Sequence, residues 1–306
     1  MKKYLILAAA AMTMVACNND ENSHKAVPND GLIHLTASVI AGHGVTRASA
    51  TSNLQNSVFV EGKEIFVEAY ETGEATPYDD DIYVTGAAGT LSTGELHYPA
   101  NNHNVDLCAF YPGDDINSNS TVFSVQTNQS TESGYQASDL MYATKLTNKG
   151  SNATHNLVFN HALTKIVVNL VPGAGITNSN ITTSPGVSAV KLNNTKPNAQ
   201  LSIANGVITA SKASSGSAAD INITGNGTSN VGIIVPQQVA AGDFITITYN
   251  SNDYTYSLPA AKTFAAGSVY TFNLELSMGE VTLQSTSITD WDDTGEGKTV
   301  NGSVVL

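Results

Sequence analysis

Seven histidines, 26 carboxylates, two cysteines and a single arginine are the side chains of this 306-residue chain that could carry chemistry. Metal binding needs His, Cys or carboxylate ligands at turn or helix spacings. His97 and His103 stand six apart, as do His155 and His161, and neither interval matches a common zinc arrangement. Acidic runs occur at Asp79-Asp80-Asp81, Asp114-Asp115 and Asp290-Trp291-Asp292-Asp293. The last continues through Thr294-Gly295-Glu296 and resembles a calcium loop, with oxygen ligands at alternate positions and glycine at the sixth. Its twelfth position is Asn301 rather than a bidentate Glu, which breaks the EF-hand pattern, so the run reads as turn carboxylates. No G-x-G-x-x-G, P-loop, G-x-S-x-G or H-E-x-x-H occurs. Gly173-Ala174-Gly175 follows a proline and reads as a turn. Nothing singles out a pair of carboxylates for glycoside hydrolysis, whose separation is spatial. The expectation is a protein with no catalytic residues, no metal and no cofactor.

The cysteines part company. Met1-Lys2-Lys3 is a short positive segment, and Tyr4 to Val15 is apolar. That stretch is too short for a transmembrane helix, which needs about 20 residues, and suits a secretory leader. It ends in Met14-Val15-Ala16-Cys17, which resembles a bacterial lipobox, with Met14 where Leu is usual. The resemblance implies removal of residues 1–16, lipidation of Cys17 and attachment to outer-membrane lipid. One acyl chain holds a membrane only marginally, so a durable anchor needs several on that cysteine. After it, Asn18-Asn19-Asp20-Glu21-Asn22 is similar to the surface-export signals of Bacteroidales lipoproteins. Cys108 lies in the strand-like run Val105–Phe110 and is then without a disulfide partner; it reads as a buried core thiol.

The elements that must position these groups are strands. Hydrophobic residues make up 41% of the chain, enough for a core, while charged residues are only 13%, about half the usual share of roughly 25%. A net charge of −13 leaves no electrostatic footprint for nucleic acid. Short period-two segments alternate with Gly, Asn, Asp, Ser and Pro clusters. The pattern predicts strands at 32–40, 58–70, 82–85, 105–111, 121–126 and 140–146. Beyond the middle it predicts 163–171, 188–193, 199–204, 221–224, 232–235, 244–250, 254–258, 269–276, 281–288 and 299–306. Many short strands with frequent turns argue for β-sandwiches. The polar stretch Thr147–Ala153 predicts a boundary between domains at 48–150 and 151–306; one sandwich over the same length is the alternative.

Arg47 sits in Gly42-His43-Gly44-Val45-Thr46-Arg47-Ala48-Ser49, a small and polar run of the kind proteases cut. Just upstream, Ile33, Leu35, Ala37 and Val39 alternate with His34, Thr36 and Ser38, a half-buried strand. At the other end Val300, Val304 and Leu306 share one face of the final strand. A cleavable first strand and an apolar last strand frame the chain.

Several motifs, in order, resemble the Bacteroidales fimbrillins, subunits of type V pili. Val45-Thr46-Arg47-Ala48 is similar to the family's arginine-specific processing site, and Cys108-Ala109-Phe110-Tyr111-Pro112 to its aromatic-Tyr-Pro strand end. Asp139-Leu140-Met141-Tyr142-Ala143 and Phe159-Asn160-His161-Ala162-Leu163-Thr164-Lys165-Ile166 resemble two internal segments. Pro236-Gln237, Ala266-Gly267-Ser268-Val269-Tyr270 and Ile288-Thr289-Asp290-Trp291 resemble its closing motifs. The resemblance implies an all-β chain of two tandem transthyretin-like β-sandwich domains. It also implies a lipidated precursor at the cell surface whose propeptide, 17–47, is cut between Arg47 and Ala48 by a trypsin-like, arginine-specific protease. The first strand then leaves, and a strand from another fimbrillin subunit, with 299–306 as the candidate donor, fills its groove. A surface lipoprotein or tip adhesin binding a glycan or host protein is the alternative, and a surface hydrolase a distant third.

Overall fold

The computed structural model describes residues 30–39, 59, 61–101, 103–151, 153–183, 186–225 and 227–291. Cys17, Arg47, Ala48, Val300, Val304 and Leu306 therefore lie outside the described residues, as does most of the acidic run after Trp291.

The fold is all-β. In chain order the strands begin β1 (Leu35–Val39), β2 (Glu64–Glu71), β3 (Asp79–Thr85), β4 (Leu91–Ser92), β5 (Val105–Tyr111), β6 (Val122–Ser124) and β7 (Asn128–Gln129). They continue β8 (Met141–Lys149), β9 (His155–His161), β10 (Thr164–Pro172), β11 (Val187–Thr195), β12 (Asn198–Ala204), β13 (Val207–Lys212) and β14 (Ala219–Gly225). The last are β15 (Ser229–Ile234), β16 (Gln237–Val239), β17 (Gly242–Tyr249), β18 (Asn252–Leu258), β19 (Lys262–Phe264), β20 (Ser268–Ser277) and β21 (Glu280–Asp290). Two short helices, α1 (Glu132–Gln136) and α2 (Asn178–Thr182), each start on a threonine whose hydroxyl caps the first turn.

A seven-stranded sheet runs β1-β9-β8-β5-β2-β3-β4. A nine-stranded sheet runs β18-β17-β11-β14-β15-β10-β20-β21, with β7 pairing β14. Smaller sheets join β13-β12-β6 and β16-β19. Most pairs are antiparallel; β1 with β9, β10 with β20 and β7 with β14 are parallel. These layers make β-sandwich packing around two cores.

Strand β5 explains how the cores meet. Its sequence, Val-Asp-Leu-Cys-Ala-Phe-Tyr, is buried at every position. Leu107, Ala109 and Tyr111 face one core, which also holds β1, while Cys108 and Phe110 face the other. A sheet covered on both faces loses the simple apolar–polar alternation.

Sheet membership does not change at the polar stretch 147–153. β9 follows that stretch yet pairs with β8 and β1 in the first sheet, and the switch falls between His161 and Thr164. In exchange β6 and β7, from the first half, pair with β12 and β14.

Candidate functional site

The sequence-marked feature that the structure describes in full is β1 and its cradle. Ile33, Leu35, Ala37 and Val39 all point inward and are buried, against Phe59, Leu96, Leu157 and Phe159 among others. His34, Thr36 and Ser38 occupy the half-exposed face. Period-two alternation does this, since successive side chains leave opposite faces of a strand. Burying Ile33, Leu35 and Val39 contributes roughly 1.5–3 kcal/mol each.

Both edges of β1 are held. On one side it runs parallel to β9, with Leu35 opposite His155 and Val39 opposite Phe159, and His155 N–H donates to the His34 carbonyl at 2.9 Å. On the other side Ile33 N–H donates to Leu96 at 2.8 Å, Tyr98 N–H donates to Gly31 at 2.9 Å, and Thr36 bridges Thr90. The first sheet thus curls until β1 closes the gap between β9 and the segment around β4. Asn156 ties the outer face: its Oδ1 accepts from the Thr36 hydroxyl at 3.2 Å and its Nδ2 donates to Ser38 Oγ at 3.0 Å. Asp30 sets the entry. Its carboxylate accepts from Leu32 N–H at 3.0 Å, which together with His34 holds it below its ordinary range.

Gly89 is a wall residue that sequence reasoning does not reveal. It sits at φ +77° in a 3-10 turn, and a Cβ there would run into the Ala37 carbonyl oxygen. The cradle admits a strand's backbone at close range, which only glycine permits. Nothing in Ala87-Ala88-Gly89 itself announces that contact.

Four motif segments that are far apart in sequence converge at one end of this cradle. His161, two residues past the position opposite Val39, accepts or donates through Nδ1 at 2.8 Å to Asp139, and both are buried. Trp291 stacks on the His161 ring, and its backbone N–H donates to the Gly267 carbonyl at 2.7 Å. Gly267 N–H donates to Leu163 at 2.8 Å, and the ammonium of Lys165 lies 5.8 Å from the Trp291 ring centre. Burial of Lys165, partly offset by Asp139, lowers its pKa to about 8. The chain therefore leaves β1 at Val39 and reaches Trp291 at the same end of β9.

The other marked residues stay apart. Cys108 is a buried free thiol, and burial chiefly pushes its pKa up to about 12, the wrong direction for a nucleophile. His103 pairs with Glu71 at 3.1 Å, while His155 meets the Tyr98 hydroxyl at 2.7 Å. Asp290 ends β21 opposite Ser268. Among the described residues no three His, Cys, Asp or Glu side chains gather as metal ligands.

Solved structures share this architecture. A Bacteroides uniformis protein assigned to cell adhesion superposes with a TM-score of 0.63 at 20% identity, over 86% of this chain and 99% of that one. A Bacteroides ovatus protein assigned to cell adhesion gives 0.64 at 16% identity, over 85% and 97%. Among curated proteins no sequence matches the chain. The fimbrillin-like family model matches residues 46–291, which take in Arg47, the far wall of the cradle, the His161 junction and Trp291. With that match across most of its length, the chain belongs to the fimbrillin-like family.

Proposed function

We propose that this chain is the precursor of a structural fimbrial subunit, exported as a lipoprotein through Cys17, cut after Arg47 and polymerised by donor-strand exchange at the cell surface. The observation that carries the reading is β1: one strand, apolar on its inner face and bonded along both edges, connected onward only through the segment that contains Arg47. Family membership supports a structural role rather than an enzymatic one.

The energetics give the exchange its direction. While the chain is intact, β1 fills the groove at high effective concentration, and an incoming strand gains little. Once the link is cut, β1 can dissociate and leave an apolar groove with unpaired backbone groups, an edge that recruits another strand. Trp291 lies beside the Val39 end of the groove; the sequence continues from it through 292–306, whose last eight residues read as an apolar donor strand. That favours a stalk subunit. Chains joined in this way make a heterologous contact that need not close, hence a filament.

The deciding experiment is N-terminal sequencing of the surface form, paired with sizing of purified precursor after arginine-specific proteolysis. An N-terminus at Ala48 and a ladder of polymers are expected. A fibre subunit that still begins at lipidated Cys17, or a cleaved product that stays strictly monomeric, would overturn the proposal.

A further inference from the structure

A polar trough opens between the outer face of the first sheet and the β12–β13 hairpin, away from the β1 cradle. It consists of two adjoining cavities of about 650 and 400 Å³, and Glu74, in the turn joining β2 to β3, lines both. Small-molecule sites span roughly 300–1,000 Å³.

The floor is held rigidly. Glu68 is only 3% exposed; its Oε2 accepts from the Tyr70 hydroxyl at 2.6 Å, and its Oε1 accepts from the Ser118 hydroxyl at 2.6 Å and N–H at 3.2 Å. Lys145 Nζ lies 3.2 Å from Asp106 Oδ2 and 4.7 Å from the Tyr70 ring centre. Asp106 Oδ1 in turn accepts from Thr72 at 3.1 Å and from Asn148 N–H at 2.9 Å. An ammonium has three donors, so Lys145 keeps one for the trough.

The rim differs from the floor. Glu74, Thr76, Asn119 and Asn205 line it, and their side chains make no hydrogen bond among the described residues. One carboxylate, two amides and a hydroxyl present donors and acceptors together. Because Lys145 is already neutralised by Asp106, the free Glu74 leaves the opening negative, which disfavours anions. The matching ligand is uncharged and rich in hydroxyls, since each O–H both donates to the carboxylate or an amide oxygen and accepts from an amide N–H or the ammonium. Two lobes meeting at Glu74 suit a short chain of rings.

We propose that this trough binds a neutral oligosaccharide, with Glu74, Asn119, Asn205 and Lys145 as its hydrogen-bonding groups. Strand exchange does not enter the proposal, and either reading can fail without the other.

Saturation-transfer NMR on the full chain tests it, with cellotriose, mannotriose, N,N′-diacetylchitobiose, N-acetyllactosamine and lactose as neutral probes and sialyllactose as the anionic one. At least one neutral probe should bind. Glu74→Ala should weaken it about tenfold or more, as expected for losing a hydrogen bond to a charged group, and Asn119→Ala should weaken it by a smaller factor of about three or more. Glu280→Gln, at the start of β21 and outside the trough lining, should leave binding unchanged. Circular dichroism spectra matching the parent would show that the variants fold. Silence from every neutral probe, binding that survives both substitutions, or sialyllactose binding more tightly than lactose would overturn the proposal.

Discussion

The imidazole of His161 lies flat on the indole of Trp291, with ring centroids 4.0 Å apart and planes 7° from parallel. His161 ends β9, the partner of β1, and Trp291 follows β21, so this one stack fastens the last described residue to the first sheet. The β21 edge of the nine-stranded sheet is thereby tied to the cradle that β1 occupies.

Trp291→Ala should remove the stack and open a cavity, lowering stability by about 3–5 kcal/mol, whereas Trp291→Phe should cost clearly less. Urea unfolding followed by circular dichroism measures both. Equal losses for the two variants would count against the stack as the source.

Lys165 should make stability rise between pH 8 and 10.5. Its folded-state pKa, about 8, lies below the ordinary 10.5, so across that interval the unfolded chain binds more protons and added base favours folding. Below pH 8 both states carry the charge and the burial cost is felt in full. The difference between the parent and Lys165→Met should therefore change by up to about 1.4 kcal/mol per pH unit within the window. Taking the difference removes the opposing effect of the buried tyrosines, whose raised pKa values withdraw stability above pH 10. A flat difference would refute the assignment.

Gly89→Ala should loosen β1, because the position has positive φ and its Cβ would meet the Ala37 carbonyl. A loss of at least about 1 kcal/mol is expected. Hydrogen exchange should localise that loss to Leu35–Val39; protection unchanged there would sink the idea.

Arg47→Ala should fold and be lipidated like the parent but remain unpolymerised at the cell surface. Electron microscopy of cells carrying the variant decides the matter: normal fibres would remove Arg47 as the trigger.

Cys108 should resist thiol reagents in the native state at mildly alkaline pH and react fully in urea, since burial keeps it protonated and covered. Rapid native labelling would show that the two cores part readily.

Much of the fold was legible in period-two patterning. The run predicted at 105–111 is β5 to the residue, and most other predicted runs overlap a strand. β9 and β13 were not legible. The pattern of β9, His-Asn-Leu-Val-Phe-Asn-His, puts polar residues at both ends, and two of its buried positions are histidines that need partners elsewhere in the chain, Tyr98 and Asp139. The polar stretch 147–153 marks a chain reversal but cannot say which sheet the next strand joins, and β9, which follows it, pairs with β8 and β1 in the first sheet.

From its residues alone the chain declared strands, an inward face on Ile33, Leu35, Ala37 and Val39, and a single arginine just beyond them. Those are local properties, set by side-chain alternation and composition. That β1 runs parallel to β9, that Gly89 abuts its backbone and that Trp291 covers His161 beside its end were decided only by the tertiary structure. Each depends on segments tens to hundreds of residues apart, and pairing at that range is chosen by the packing of the whole core, which no local pattern encodes.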